Sequence, residues 1–296
     1  MKKLLILSGK GGTGKTTIAC SFAYYTKARA VADCDVDAPN LHLMKDWNVD
    51  PVVSDFIGSK KARIDVDRCI GCRICQEHCR FHAIDVVENV CQVNEFACEG
   101  CGVCQLVCPQ DAVLLLDDVA GCQKLYISDG VFSTAKLKMG RGNSGKLVSE
   151  VKKSLFDHSD ADLAIIDGSP GIGCPVIASI SGVDLVLIVA EPSMSGLSDL
   201  KRLIQTTASL RVQVAVCVNK WDVSVENTNQ IVDFCKENGI SFVGKIPYDK
   251  SAFAAMNEKK SLLEMDSLSS RALKDVFDQT LVLLDELKIE KIKGVY

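Results

Sequence analysis

Eight cysteines stand in two runs with the same spacing, C-x2-C-x2-C-x3-C. The first run contains Cys69, Cys72, Cys75 and Cys79, and the second contains Cys98, Cys101, Cys104 and Cys108. With this spacing, three thiolates of a run hold one [4Fe–4S] cubane and the fourth reaches a second cubane. The pattern predicts one cluster held by Cys69, Cys72, Cys75 and Cys108. It predicts another held by Cys79, Cys98, Cys101 and Cys104.

Zinc is the alternative for closely spaced cysteines. Zinc ribbons use two C-x2-C pairs, which would leave the third and fourth cysteines of each run without a role. His78 and His82 lie in or near the first run, but every cluster corner already has a thiolate, so we expect both at the surface. Cys174, in a glycine-rich segment, has no assigned role. We expect small buried side chains at the other cysteines, which are Cys20, Cys34, Cys91, Cys122, Cys217 and Cys235.

A second motif has the chemistry of phosphate binding. Residues 9–16 read G-K-G-G-T-G-K-T, directly after an apolar strand at 3–7 and before a helix at 15–27. In this context the glycines let backbone N–H groups face the phosphates, Lys15 reaches the β- and γ-phosphates, and the Thr16 hydroxyl binds Mg²⁺. The predicted phosphate-binding residues are Gly11, Gly12, Thr13, Gly14, Lys15, Thr16 and Thr17.

Short apolar runs separated by helix-length segments position these motifs. Besides residues 3–7 we predict strands at 30–32, 163–166, 185–189, 212–218 and 241–246. Continuous apolar strands between helices are typical of a parallel sheet covered on both faces, so we predict an α/β fold with a mostly parallel sheet.

The cysteine runs interrupt this rhythm. We predict a P-loop ATPase domain over residues 1–59 and 118–296 and an inserted small α+β domain over residues 60–117. A connecting hairpin is expected at 124–127 and 135–139. The two halves of the insert match each other, since Gly71 corresponds to Gly100 and Ala83 to Ala112.

Composition excludes several classes of protein. The chain has 296 residues with 47% hydrophobic and 24% charged side chains, enough apolar surface for a sizeable core. A net charge of −4 gives no support for nucleic-acid binding. The apolar runs are too short for a membrane span or a signal peptide, so we expect a cytoplasmic protein with reduced cysteines.

Lys10 extends the phosphate-binding loop into a family resemblance. The run resembles the deviant Walker A motif of the ParA/MinD family, which includes the nitrogenase iron protein and Mrp-type iron–sulfur carrier ATPases. The resemblance implies a dimer, of one chain or with a paralogue, in which Lys10 reaches the nucleotide of the facing subunit. It also implies that Asp35 orients the attacking water and helps to bind Mg²⁺, and that Asp167 binds Mg²⁺ through water. Lys10, Lys15 and Asp35 are thus the expected catalytic residues. Asp33 and Asp37 are open, because either side chain can cap the loop.

The resemblance continues toward the carboxyl end. Residues 216–220 resemble the strand end where the family recognises adenine, which implies an ATP-binding role for Asn219, and residues 243–249 resemble the loop over the base. Residues 63–116 resemble bacterial two-cluster ferredoxins. They depart from that pattern after Cys79, where Arg80 stands in place of proline; Cys108 is followed by Pro109. The whole arrangement is similar to MinD-superfamily ATPases with an inserted ferredoxin domain.

These motifs favour one function. We expect ATP hydrolysis with Mg²⁺ to be coupled to electron transfer, or to metallocofactor assembly, on a redox or cofactor-assembly partner protein. Two alternatives stay open: a positioning or scaffold ATPase whose clusters are structural, and a carrier whose clusters are cargo. The segment 140–146 has no assigned role. We expect the C-terminal segment 281–292 to be a packed helix rather than a membrane-binding one.

Overall fold

The computed structural model describes residues 1–43 and 47–292. Its strands are, in chain order, β1 (Lys2–Leu7), β2 (Ala30–Asp33), β3 (Val52–Ile57), β4 (Lys61–Ile64), β5 (Ile84–Val87), β6 (Val90–Val93), β7 (Val113–Leu116), β8 (Val119–Ile127), β9 (Val131–Leu137), β10 (Leu163–Asp167), β11 (Leu185–Ala190), β12 (Gln213–Asn219) and β13 (Ser241–Ile246).

Its α-helices are, in chain order, α1 (Lys15–Tyr25), α2 (Ile74–Glu77), α3 (Val103–Leu106), α4 (Ser144–His158), α5 (Cys174–Ile180), α6 (Met194–Ser209), α7 (Val225–Glu237), α8 (Ser251–Asn257) and α9 (Leu268–Ile292). Short 3₁₀ helices lie at Leu41–Leu43, Trp221–Val223 and Leu262–Glu264. No helix within the described ranges is both long enough and apolar enough to cross a bilayer.

The chain divides into two compact units. The first contains Met1–Val53, Lys124–Ala135 and Ser144–Tyr296, and the second contains Ser54–Gln123 and Lys136–Asn143. The insert expected at residues 60–117 lies within the second unit, which extends beyond it on both sides. The assignment of residues 60–117 to a domain of their own stays a prediction.

Parallel strands form the centre of the first unit, in the order β13-β12-β11-β1-β10-β2-β9. Each neighbouring pair in this order is parallel. Strand β1 lies in the middle, and all of its apolar residues from Leu4 to Leu7 are fully buried. Because alternate side chains of a strand point to opposite faces, helices must cover both faces of this sheet. The expected α/β fold with a mostly parallel sheet is confirmed.

The packing of α1 and α9 shows how one face is covered. Leu4 and Ile6 share a buried cluster with Phe22 of α1 and Phe277 of α9. The two phenylalanine rings lie 4.2 Å apart between centroids. Burial of two aromatic side chains stabilises the fold by roughly 3–6 kcal/mol, at 1.5–3 kcal/mol each. The helix expected at 281–292 is therefore the end of a longer helix, which is packed against the core as far as Leu287.

The expected hairpin differs from the observed one. Its strands are β8 and β9, which meet at a turn where the Ser128 N–H donates to the Gly130 carbonyl at 2.9 Å. Strand β9 begins at Val131 rather than at 135, and Val131 to Thr134 pair in parallel with β2. These four residues are all buried, so they lack the alternation that marks a hairpin strand in sequence.

The second unit is built from two similar halves. Strand β4 pairs with β7 and β5 pairs with β6, both antiparallel. Each half also has a helix of four residues, α2 or α3. The internal sequence repeat predicts this pseudo-symmetry. Elements this short bury little apolar surface.

Candidate functional site

The glycine-rich loop at residues 9–16 connects β1 to α1. Gly12 and Gly14 have φ of +80° and +92°, a left-handed conformation that favours glycine. Gly14 is the N-cap of α1 and has no side chain with which to cap it. The N–H groups of the first helical turn are therefore available to a bound anion. A Cβ at position 14 would lie 2.3 Å from Asn219 Nδ2, so this position also requires glycine for space.

Lys15, Thr16 and Asp167 meet below this loop. Lys15 Nζ lies 2.5 Å from Asp167 Oδ1, and Thr16 Oγ1 donates to Asp167 Oδ2 at 2.7 Å. Asp167 is fully buried and Lys15 is nearly so. Burial alone would lower the pKa of Lys15, but the carboxylates of Asp167, Asp33 and Asp35 together outweigh it and the net shift is upward. The lysine is thus held as a cation beside a hydroxyl and a carboxylate, which are both oxygen ligands of the type that Mg²⁺ prefers.

Asp33 holds the loop that follows β2. Its Oδ1 accepts from the Asp35 N–H at 3.1 Å, and its Oδ2 accepts from the N–H groups of Asn40 and Leu41, both at 2.9 Å. Asp33 therefore caps this loop, the role that its position in the sequence allows. Asp35 lies on the same loop and lines the nucleotide cavity described below. Burial raises the pKa of Asp35, and Lys15 opposes that shift.

Lys10 is engaged within its own chain. Its Nζ lies 2.7 Å from Glu191 Oε2 and within 3.2 Å of Ser195 Oγ and 3.4 Å of Ser193 Oγ. Ser193 is the N-cap of α6 and accepts from the Gly196 N–H. Both members of the Lys10–Glu191 pair are partly exposed, so the pair is reversible at low cost.

Asn219 lies at the end of β12 and contacts the loop directly. Its Nδ2 donates to the Thr13 carbonyl at 2.7 Å, and its Oδ1 accepts from the Lys220 N–H at 3.0 Å. The Lys220 ammonium also donates to the Gly12 carbonyl at 2.9 Å. The strand end and the glycine-rich loop therefore fix each other's position.

Several of these residues line a cavity of about 630 Å³, here called the nucleotide cavity. Its polar lining includes the expected residues Lys10, Gly11, Gly12, Thr13, Gly14, Lys15, Thr16, Thr17, Asp35 and Asn219. Its apolar lining includes Ile246, Pro247, Ala252, Leu262 and Leu273. A concave site with one polar and one apolar region has the chemistry to bind phosphates and a base.

The eight cysteines of the two runs line two separate cavities in the second unit. The first cysteine cavity is lined by Cys69, Cys72, Cys75 and Cys108. The second cysteine cavity is lined by Cys79, Cys98, Cys101 and Cys104. Each cavity thus has three thiols from one run and the fourth from the other, which is the grouping that the spacing predicts. That these thiols ligate clusters stays a prediction.

Backbone N–H groups point at the sulfurs in both halves. The Ala83 N–H donates to Cys79 Sγ at 3.4 Å, and the Ala112 N–H donates to Cys108 Sγ at 3.3 Å. Such hydrogen bonds stabilise a sulfur that carries negative charge. The two cavities therefore share the same polar surroundings at matching positions.

The matching glycines of the repeat are required for close approach of the backbone. Gly71 and Gly100 have φ of +67° and +68°. A Cβ would lie 2.2 Å from the Asn89 carbonyl oxygen at Gly71 and 1.9 Å from the Lys60 carbonyl oxygen at Gly100. Each of these turns thus packs closely against a loop that connects two strands. The turn carries the chain around the first cysteines of its run.

Cys91 is buried, as expected, but it also contacts other cysteines. It is only 2% exposed, but it lines the first cysteine cavity as a fifth thiol. It also forms hydrogen bonds with Cys69 and Cys75. Within residues 1–43 and 47–292, no three His, Cys, Asp or Glu side chains are placed to hold a single metal ion. A cubane differs from a single ion, because its thiolates stand around a cage of four iron atoms.

The chain matches the model of the CobQ/CobB/MinD/ParA nucleotide binding domain over residues 4–262. The chain belongs to this family. An uncharacterized Methanocaldococcus jannaschii protein, MJ0578, is 34% identical over 94% of this chain and 95% of its own length. The septum site-determining protein MinD of Pyrococcus horikoshii, solved with Mg-ADP, has the same fold with a TM-score of 0.55 at 17% identity, covering 99% of this chain and 98% of its own. An iron-sulfur cluster carrier protein of M. jannaschii is 24% identical over 50% of this chain and 54% of its own length.

Several residues of the site were not expected from the sequence. Glu191 and Ser195, which hold Lys10, lie about 180 positions away from it in the chain, and no local motif marks them. Leu262 and Leu273 in the apolar wall come from the C-terminal elements of this family member. Ser193 alone had a local signal, because serine before a helical segment is a typical N-cap.

Proposed function

We propose that this family member is a Mg²⁺-dependent ATPase whose residues 60–117 form a ferredoxin-like domain with two [4Fe–4S] clusters. We further propose that it couples ATP turnover to electron transfer, or to metallocofactor assembly, on a partner protein. The observation that carries the proposal is the grouping of cysteines, three from one run and one from the other in each of two cavities. That grouping occurs in the same chain as the Lys15–Thr16–Asp167 arrangement.

The residues of the nucleotide cavity fit ATP and Mg²⁺. The open N-terminus of α1 and the left-handed glycines offer N–H groups to phosphates, and Lys15 neutralises their charge. Thr16, with Asp167 and Asp35, would hold Mg²⁺, which neutralises charge on the phosphoryl oxygens when bound. In this proposal Asp35 orients the attacking water. Asn219 and the apolar wall contact the base.

Dimerisation belongs to the same proposal. Lys10 is expected to leave Glu191 and reach the nucleotide of a facing subunit, either a second copy or a paralogue. The released ammonium would then stabilise charge that develops on the transferred phosphoryl group, which is where positioned cations contribute most to catalysis.

The cysteine cavities fit cubanes by their donor chemistry. The four predicted ligand thiols line each cavity, backbone N–H groups point at the sulfurs, and the remaining lining is largely apolar, as with Ile64 and Val113 in the first cavity. A bound cluster supplies one-electron redox chemistry. The chain's own contribution is to hold the thiolates, exclude water and tune the potential through hydrogen bonds.

A scaffold ATPase with structural clusters is a second candidate. It is favoured by the core of the second unit, where half of the buried cluster consists of cysteines: Ala62, Cys75, Ala83, Ile84, Cys91, Cys98, Cys104 and Val113. A domain with so small an apolar core often folds only with its metal.

An anaerobic redox titration followed by EPR, with and without Mg-ATP, separates the two candidates. Coupling predicts that Mg-ATP shifts the potential of at least one cluster by about 60 mV or more, a tenfold change for one electron. The control is Lys15→Met, which removes the phosphate-binding cation and should abolish the shift. If neither reduction potential changes when Mg-ATP is added, the result would support the scaffold ATPase. A protein purified anaerobically without two [4Fe–4S] clusters per chain would refute both.

A further inference from the structure

Cys91 distinguishes the two cysteine cavities. It lies on β6, is 2% exposed, and lines the first cysteine cavity beside the four thiols proposed as ligands. Its thiol is hydrogen-bonded to Cys69 and to Cys75. Because those two sulfurs would be bound to iron as thiolates, the Cys91 S–H is the group in this set that can donate.

The pseudo-symmetry of the second unit shows what stands at this place in the other cavity. Cys91 pairs with Val86 across β5 and β6, and Ala62 pairs with Leu115 across β7 and β4. Ala62 lines the second cysteine cavity as Cys91 lines the first. The two positions correspond, and they differ by a thiol in place of a hydrogen on Cβ.

The backbone at these two positions makes the same contact. The Ala62 N–H donates to Cys98 Sγ at 3.5 Å, and the Cys91 N–H donates to the sulfur of Cys69. Cys98 and Cys69 are the first cysteines of their runs. At this pair of positions the main chain therefore treats both cavities alike, and the side chain adds one donor to the first cavity.

We propose that Cys91 is a positioning residue of the first cysteine cavity, which raises the reduction potential of the bound cluster by donating its one S–H hydrogen to a ligand sulfur, that of Cys69 or of Cys75. The inference rests on the proposed presence of clusters. A reduced cluster carries one more negative charge than an oxidised one, so a donor to its sulfurs stabilises the reduced state. The methyl group of Ala62 gives the other cluster no such contribution.

The experiment compares Cys91→Ala, which copies the side chain of the other cavity, with Cys91→Ser, which retains a donor. Each variant is purified anaerobically as the full chain, and iron, sulfide, visible absorbance and EPR-monitored potentials are measured. Cys91→Ala should keep both clusters and make reduction of one of them about threefold to tenfold less favourable; tenfold corresponds to about 59 mV for one electron. Cys91→Ser should keep the reduction potential of this cluster close to the wild-type value.

Ala62→Cys is the reciprocal variant. It should raise the potential of the cluster that Cys91→Ala leaves unchanged, which also assigns each potential to its cavity. Unchanged potentials in Cys91→Ala would overturn the inference, and so would loss of iron and sulfide, since that result would show that Cys91 is needed to retain the cluster rather than to set its potential. A wild-type chain without clusters would instead refute the proposed function, so the two failures are distinguishable.

Discussion

Lys10 Nζ forms an ion pair with Glu191 Oε2 at 2.7 Å, within one chain. If Lys10 acts on the nucleotide of a facing subunit, this pair must open first. Glu191→Gln removes the competing carboxylate. Partly exposed pairs contribute about 0.2–1 kcal/mol, so we expect ATP hydrolysis to reach half of its maximal rate at a protein concentration up to about fivefold lower.

The measurement is the rate of ATP hydrolysis as a function of protein concentration. Asp266→Asn is the matched control, because it also removes one carboxylate from an exposed ion pair, with Arg271. It should leave the concentration dependence unchanged. A Glu191→Gln protein that needs a higher concentration than wild type would show that Glu191 supports the active arrangement instead of restraining Lys10.

Lys10→Ala and Asp35→Ala should suppress ATP hydrolysis while leaving the clusters intact. Removal of one stabilising or water-orienting group at a phosphoryl-transfer site commonly costs a factor of about 10²–10³. The measurements are phosphate release and the visible absorbance of the anaerobic protein. Loss of the cluster absorbance in either variant would contradict the assignment of these residues to a nucleotide site alone.

The lining of the two cysteine cavities predicts which substitutions share an effect. Cys108→Ala should remove the same EPR signal as Cys69→Ala, although Cys108 lies in the other run. In the same way, Cys79→Ala should remove the same signal as Cys98→Ala. Cys235→Ala, at a buried cysteine on α7, is the control and should retain both signals. If Cys79 instead shared its signal with Cys69, each run would hold its own cluster and the crossed grouping would be wrong.

Lys152 on α4 predicts a pH dependence of stability. Its ammonium donates to the carbonyls of Ala178, Ser179 and Ser181 at the end of α5, and burial lowers its pKa to about 8. Between about pH 8 and its unperturbed value of 10.5, the unfolded chain keeps this proton and the folded chain has lost it. Stability from this group therefore rises with pH across that range, by up to about 1.4 kcal/mol per pH unit.

Lys152→Met isolates this contribution. It should destabilise the protein by on the order of 2 kcal/mol at pH 7, because buried carbonyls lose their donor. The advantage of wild type over the variant should then grow from pH 8 to 10. Urea unfolding at several pH values measures the difference, with Lys153→Met on the exposed side of the same helix as control. If the difference in the free energy of unfolding between wild type and variant shrinks as pH rises, burial does not lower the pKa of Lys152.

The sequence predicted those parts of the site whose residues lie close together in the chain. The glycine-rich loop and the cysteine runs have fixed spacings because each wraps around one group, and those spacings can be read without a fold. The partners of these residues could not be predicted in this way. Glu191 reaches Lys10 only because parallel pairing sets β11 beside β1. Cys91 on β6 contacts Cys69 although no local spacing relates the two positions.

Burial also limited what the sequence could tell about the strands. The first four residues of β9 are apolar and polar in no alternating order, and all are buried, so their parallel pairing with β2 left no signature. Asp33 shows the same limit for function. Asp33 is followed by other acidic residues in the sequence, which suggests a metal site. In the structure its carboxylate accepts hydrogen bonds from three backbone N–H groups.

Each half of the second unit contributes one cysteine to the cavity that the other half mainly lines. A single half presents three sulfurs on one side and directs its fourth toward the other half, so alone it cannot enclose a cavity. Two identical halves related by a twofold axis would complete each other. The unit therefore has the architecture of a symmetric dimer joined into one chain, in which differences such as Cys91 in one half and Ala62 in the other make the two halves unequal.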